Sequence, residues 1–176
     1  MLLWAISPAC FKGGRMNTCL RIAAMLLVGV LPTSAAEPQV AAADFLYVPP
    51  ENVRFKSPLG VGPDQAVLFG DPTKPGLYVI RVRFPPGAHS NPHFHSKDRH
   101  AVVLKGVWWN GTGPDLDFSK AAPMKAGTYV KHPAGGAHWD GAGPDEEAIV
   151  QITGEGPVET TPIGEGPSRG YWPKPN

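Results

Sequence analysis

The chain has 176 residues, with 16 Lys and Arg against 15 Asp and Glu, a formal charge of +1. That balance carries no electrostatic footprint for nucleic acid and no polybasic patch for a membrane surface. Charged residues are only 18%, and 21 Gly with 21 Pro favour short strands joined by turns, which excludes a helical bundle or coiled coil, while 42% hydrophobic residues exclude wholesale disorder.

Residues 1–36 read as an export signal. Arg21 precedes an apolar run at 22–31, followed by Pro32, Thr33 and Ser34-Ala35-Ala36, with small residues placed for a cut after Ala36. A bilayer span needs about 20 apolar residues, so this run alone leaves no stable membrane span after cleavage. An uncleaved anchor is the other reading. Met16 begins a signal peptide of ordinary length by itself, so 1–15 is read as a start-site artefact. Cys10 and Cys19 both fall in the removed segment. The mature chain, from Glu37, therefore has no thiol for a disulfide, a nucleophile or a metal. Cleavage also removes Lys12, Arg15 and Arg21, leaving 13 basic against 15 acidic side chains. The expected location is the periplasm or the exterior.

Residues 37–65 form an Ala- and Pro-rich arm leading into the first strand or strands. Residues 66–69 are a short apolar run ended by Gly70-Asp71-Pro72. Residues 77–84 alternate, with Tyr78, Ile80, Val82 and Phe84 on one face and Arg81 and Arg83 on the other, as in a half-buried strand. Pro85-Pro86-Gly87 stops it. Residues 101–104 and 107–109 are two β-rich runs divided by Lys105-Gly106. Residues 128–130 lie between Gly127 and Pro133, and 148–153 form a strand ended by Gly154. The tail, 154–176, is rich in Gly and Pro and carries Tyr171 and Trp172 near its end, which would dock on the main body or on a partner subunit; a frayed tail is the other reading. The pattern predicts an all-β sandwich or barrel over residues 66–153.

All six histidines lie between positions 89 and 138. His93 and His95 are two residues apart, so on a strand both imidazoles face one point. His100 follows, and a turn through residues 96–99 would return it to the same face. His138 comes after Pro133-Ala134-Gly135-Gly136-Ala137 and would approach from a neighbouring strand. An HxH pair alone is weak evidence for ligation, but the surrounding glycines form a spaced pattern on either side.

On those residues the chain resembles the cupin superfamily, of the small single-domain, jelly-roll kind. PGAHSNPHFHSKDRHAVVLKG matches the first cupin motif from Gly87 to Gly106, where HxH is followed after three or four residues by a Glu. His100 stands where that Glu is usual. GTYVKHPAGGAH matches the second motif from Gly127 to His138 without a gap. Ala142 stands where an Asn is often found. The resemblance implies a cupin β-barrel, metal ligands at His93, His95, His138 and His100, and one divalent transition metal (Fe, Ni, Zn, Cu or Mn). With four neutral imidazoles the ion would keep its full charge and act as a stronger Lewis acid. If His100 points away, the site is three-His with open positions. His89 and His132 fall outside the expected shell. Asp98 is read as a solvated turn residue, or as a hydrogen-bond partner of a ligand imidazole. Trp108 and Trp109 must face opposite ways. Trp109 and, better, Trp139 are the candidates for an apolar substrate pocket.

The resemblance implies no single reaction, since one fold hosts many. The expected function is a divalent-metal enzyme on a small organic molecule, dioxygenase-like or catalysing metal-assisted proton transfer or isomerisation. The alternative is a non-catalytic metal-containing module that binds or senses a small ligand. A homodimer is also implied.

Overall fold

The computed structural model describes residues 44–57, 60 and 62–173. The expected signal peptide and residues 37–43 of the arm lie outside the described residues. Twelve strands follow in chain order: β1 (Asp64–Phe69), β2 (Gly76–Phe84), β3 (Ala88–Ser90), β4 (His93–His95), β5 (Arg99–Lys105), β6 (Val107–Thr112), β7 (Ala122–Lys125), β8 (Tyr129–His132), β9 (His138–Ala142), β10 (Ala148–Gly156), β11 (Thr160–Pro162) and β12 (Arg169–Tyr171). Two short 3₁₀ turns, Pro50–Asn52 and Phe118–Lys120, are the helical elements among the described residues. None of the described helices is long and apolar enough to cross a membrane.

Every strand pairing is antiparallel. One sheet runs β1-β2-β10-β5-β8. The other runs β11-β4-β9-β3-β12, with β6 joined to β9 and β7 to β6. The expected closed barrel is instead a sandwich of two sheets that are not hydrogen-bonded into one ring.

The alternation in residues 77–84 does what period-2 patterning demands. Tyr78, Ile80 and Phe84 are buried, while Arg83 turns outward to pair with Asp64 and Arg81 donates to Gln151 Oε1 at 3.2 Å. Along β10, Ala148, Val150 and Ile152 face the same core, in register with β2 from Ala148 opposite Phe84 to Gly156 opposite Gly76. Trp108 and Ala142 close this core from the second sheet. Burying a large apolar side chain stabilises by roughly 1.5–3 kcal/mol, so this cluster holds the two sheets face to face.

Gly154 does not end its strand. β10 runs on to Gly156, because Gly154 passes directly under Tyr78: a Cβ there would lie 2.6 Å from the phenolic oxygen. Absence of a side chain lets the strand continue where any other residue would collide. Gly106, at the β5–β6 turn, has φ +69° and would drive a Cβ into the Glu147 carbonyl. The segment expected as a tail contributes two edge strands. β11 pairs with β4 and β12 with β3, and Trp172 packs on Phe118 with ring centroids 4.5 Å apart.

Candidate metal centre

β4 carries His93 and His95 on one face, and the sheet register sets His93 directly opposite His138 of β9. Local chemistry brings the third ligand in. Gly135, at φ +71°, donates its N–H to the His95 carbonyl at 2.9 Å, which ties the 133–136 turn to β4. Asp98 accepts from the Ala134 N–H at 2.8 Å and pairs with Lys131 at 2.7 Å, so it fixes that turn and does not touch an imidazole ligand. The result is three buried rings with centroids 4.4–5.3 Å apart. Each can offer one nitrogen within 4.8 Å of the other two.

The tautomers are set by the backbone. A carbonyl only accepts, so Nδ1 of His93 donates to Asn91 O at 2.8 Å and Nδ1 of His138 donates to Gly136 O at 2.9 Å. That leaves the Nε2 lone pair of each free to ligate. Nε2 of His138 is buried with no hydrogen-bond partner among the described residues. Burial pushes His138 below the usual imidazole range. It does the same to His95, helped by the charge of Arg99. Both rings are therefore neutral, the form a metal binds.

His100 is not in this cluster, which corrects the expectation drawn from the first motif. It lies on the outer, exposed face of β5, its Nδ1 2.7 Å from the Tyr129 hydroxyl. The inward position is Arg99. A spacing of three residues after His95 falls on Arg99, and a spacing of four falls on His100. Arg99 Nη1 donates to His95 Nε2 at 2.7 Å. His95 Nδ1 then carries the proton and faces Thr160 Oγ1 at 3.0 Å. Burial lowers Arg99 from its usual value, opposed by Tyr78 and Asp140, and a guanidinium remains charged.

Two further groups adjoin the cluster. His132, expected outside the shell, has its ring centroid 3.8 Å from that of His138 and its Nε2 2.9 Å from Asn110 Oδ1. Burial, and then the neighbouring His138, push it down to about 3. Asp140 stands two residues after His138, on the same face of β9. Its burial opposes ionisation, but His93, His138 and His132 and a hydrogen bond from Ser90 Oγ outweigh that and hold the carboxyl below its usual range. His132, His138 and Asp140 form a second group with metal-ligand spacing. The signal for Asp140 was present in the sequence as i+2 parity with His138.

The tryptophans expected in the pocket are elsewhere, and the reason is the same parity. Trp139 is adjacent to His138 and so faces the other side of β9, against Phe118, Trp172 and His89. Trp109 meets Trp172 edge to face with centroids 5.6 Å apart. Gly111 leaves room for the Trp139 ring and Gly170 for the His89 ring, while Gly141 lets the strand carrying His89 approach closely. The cavity over the histidines, about 330 Å³, is instead walled by Val82, Phe84, Ile152 and Arg99 of the first sheet opposite His93, His95, Asp140 and Ser90 of the second. A second cavity of about 340 Å³ reaches His132 and His138 past Met124 and Val130.

Two antiparallel sheets with an HxH strand facing a third histidine define a cupin-like protein. The chain belongs to the family described as a domain of unknown function, DUF4437, whose model matches residues 58–175. Comparison with curated proteins finds no match. Among solved structures it is similar to a protein of unknown function with a cupin-like fold from Ralstonia eutropha, at 28% identity and TM-score 0.53, covering 66% of this chain and 70% of that one. It is also similar in fold to the polyketide cyclase RemF from Streptomyces resistomycificus (17% identity, TM-score 0.57, 71% and 89% covered). A cupin-2 domain from Rhodospirillum rubrum is similar at 16% identity and TM-score 0.54, with 71% and 83% covered.

Proposed function

We propose that this protein is an exported, metal-dependent enzyme acting on a small organic molecule, with one divalent transition ion held by His93, His95 and His138. The observation that carries the reading is the pair of imidazoles whose Nδ1–H groups are pinned by backbone carbonyls, beside a buried His138 Nε2 that has no other partner among the described residues. When bound, such an ion supplies Lewis acidity toward a carbonyl or enol oxygen. Asp140 remains ionised at neutral pH and lines the same cavity, so it can accept a substrate proton. Held low, it is a weak base, suited to protons that are already acidic. Val82, Phe84 and Ile152 make the opposite wall apolar. A base in the cavity favours proton transfer or isomerisation over the dioxygenase-like alternative.

Cobalt titration of the metal-stripped protein tests the centre: a 1:1 site with a visible spectrum is expected. Incorporation of solvent deuterium into a library of small carbonyl compounds, without oxygen uptake, is the expected activity. Oxygen uptake without exchange would support the dioxygenase instead. A second reading, a binding module without turnover, is favoured by the Arg99 contact, which engages one of the three ligand nitrogens. Ligand binding with neither exchange nor oxygen uptake would establish that reading. Assembly as a homodimer is part of the proposal, and sedimentation velocity checks it.

A further inference from the structure

Arg99 is a half-buried cation for which the metal centre has no use. Its side chain enters from the start of β5 and lies against the histidines, with Nη1 on His95 Nε2 at 2.7 Å. Its Nε is buried and has no hydrogen-bond partner among the described residues. Among the same residues no carboxylate lies within 4.0 Å of it. Asp140, the carboxylate that lines the cavity, is engaged by Ser90. A second guanidinium, Arg169, reaches the same cavity while donating to Pro63 O at 2.9 Å.

A cation taken out of water with a buried donor unpaired and no carboxylate in contact is costly. A planar fork with an unsatisfied donor is the shape that a carboxylate completes. The position matters too. A cation bound by His95 would stand beside a fixed positive charge of the protein, and that repulsion is relieved by an anion placed between the two. Val82, Phe84 and Ile152, on the same sheet as Arg99, make the adjoining wall apolar.

We propose that Arg99 is the anion anchor of this cavity, and that the molecule it selects is a small organic carboxylate or enolate whose apolar body lies against Val82, Phe84 and Ile152. The proposal rests on the metal-dependent reading only for the chemistry at the histidines. The anchor itself needs no metal.

The test is an NMR titration of benzoate, its neutral isostere benzamide, and inorganic phosphate against the full-length mature protein stripped with EDTA and freed of it, repeated with one equivalent of Co²⁺. On the wild type, benzoate is expected to bind at least tenfold more tightly than benzamide or phosphate. Arg99→Gln should abolish the preference for benzoate over benzamide, and Arg99→Lys should keep part of it. Added Co²⁺ should tighten benzoate further. Equal affinity for benzoate and benzamide on the wild type, which needs no variant, would overturn the anchor, as would wild-type benzoate affinity in Arg99→Gln. Phosphate binding as tightly as benzoate would overturn the organic ligand class. Weakening of benzoate by Co²⁺ would overturn the placement between the two cations. A protein that binds benzoate through Arg99 but takes up no Co²⁺ would leave the anchor standing and remove the metal reading.

Discussion

At the scale of single residues, the decisive question is which side of a strand a side chain faces. His93, His95 and His138 were legible because i, i+2 spacing and the glycine-framed turn both point inward. His100 and Arg99 were not. Residues 101–104 are all apolar, so the pattern is equally consistent with either parity, and only the observed burial of Ala101 and Val103 selects Arg99 as the inward residue. The corresponding variants separate the two. His138→Ala is expected to weaken Co²⁺ binding at least tenfold, because it removes one of three neutral donors. His100→Ala should leave affinity and spectrum unchanged, since its ring contacts Tyr129 on the exposed face. Isothermal titration with Co²⁺ reads both. Asp140 and His132 add a pH dependence. His132 is held neutral down to about 3 in the fold, against about 6.5 for an unperturbed imidazole. Between those values the unfolded chain binds a proton that the folded chain does not, so stability rises with pH across that window. It is fully present above about 6.5 and is lost progressively as pH falls toward 3. Urea midpoints in EDTA between pH 7 and pH 4 should fall, and His132→Gln should flatten the decline. A slope unchanged in that variant would remove His132 from the acid transition.

At the scale of elements, legibility followed length. β2 and β10, nine residues each, carry enough alternation to read directly. β3, β4, β11 and β12 have three residues each, too few for a period, and Pro92 and Pro162 look like breakers although they flank or end strands. β9 is buried at all five positions; a strand covered on both faces has no alternation to find. These short strands form the sheet that presents the ligands, so the scaffold of the site was the less readable half. Gly154 is a further case, because glycine reads as a stop in sequence and acts in the structure as a point of close approach to Tyr78. Gly154→Ala should therefore destabilise by about 1–3 kcal/mol, the range for overpacking a filled core. Urea denaturation checks it: the midpoint should drop with little change in slope. Tyr78→Phe in the same background should recover part of the loss by removing the hydroxyl that the new methyl would strike.

At the scale of the whole molecule, two processes outside the sheets are expected to shape the mature protein. The first is removal of residues 1–36, which rests on Arg21, the apolar run and Ser34-Ala35-Ala36. N-terminal sequencing of protein recovered outside the cytoplasm should begin at Glu37, and a mature chain retaining Met16 or Met1 would refute the cleavage. The second is the relation between metal and folding. The core of Tyr78, Ile80, Phe84, Val103, Trp108, Val150 and Ile152 contains none of the histidines and is drawn from both sheets, so the sandwich has a driving force that needs no ion. A chain of this size buries enough surface to fold alone, unlike a zinc finger. The histidine site also draws on restraints present without metal: the β4–β9 register, the carbonyls of Asn91 and Gly136, and the tie from Gly135 to His95. Metal should then add stability by mass action alone, about 2.7 kcal/mol at a hundred times Kd. For a domain this large that corresponds to roughly 10 °C in Tm. Calorimetry of the Co²⁺-loaded and EDTA-treated protein should show two cooperative transitions separated by about that interval, with the apo protein still folded at 25 °C. A non-cooperative apo transition would mean that the ion organises the second sheet, and that the backbone restraints around the histidines are too weak to hold them without it.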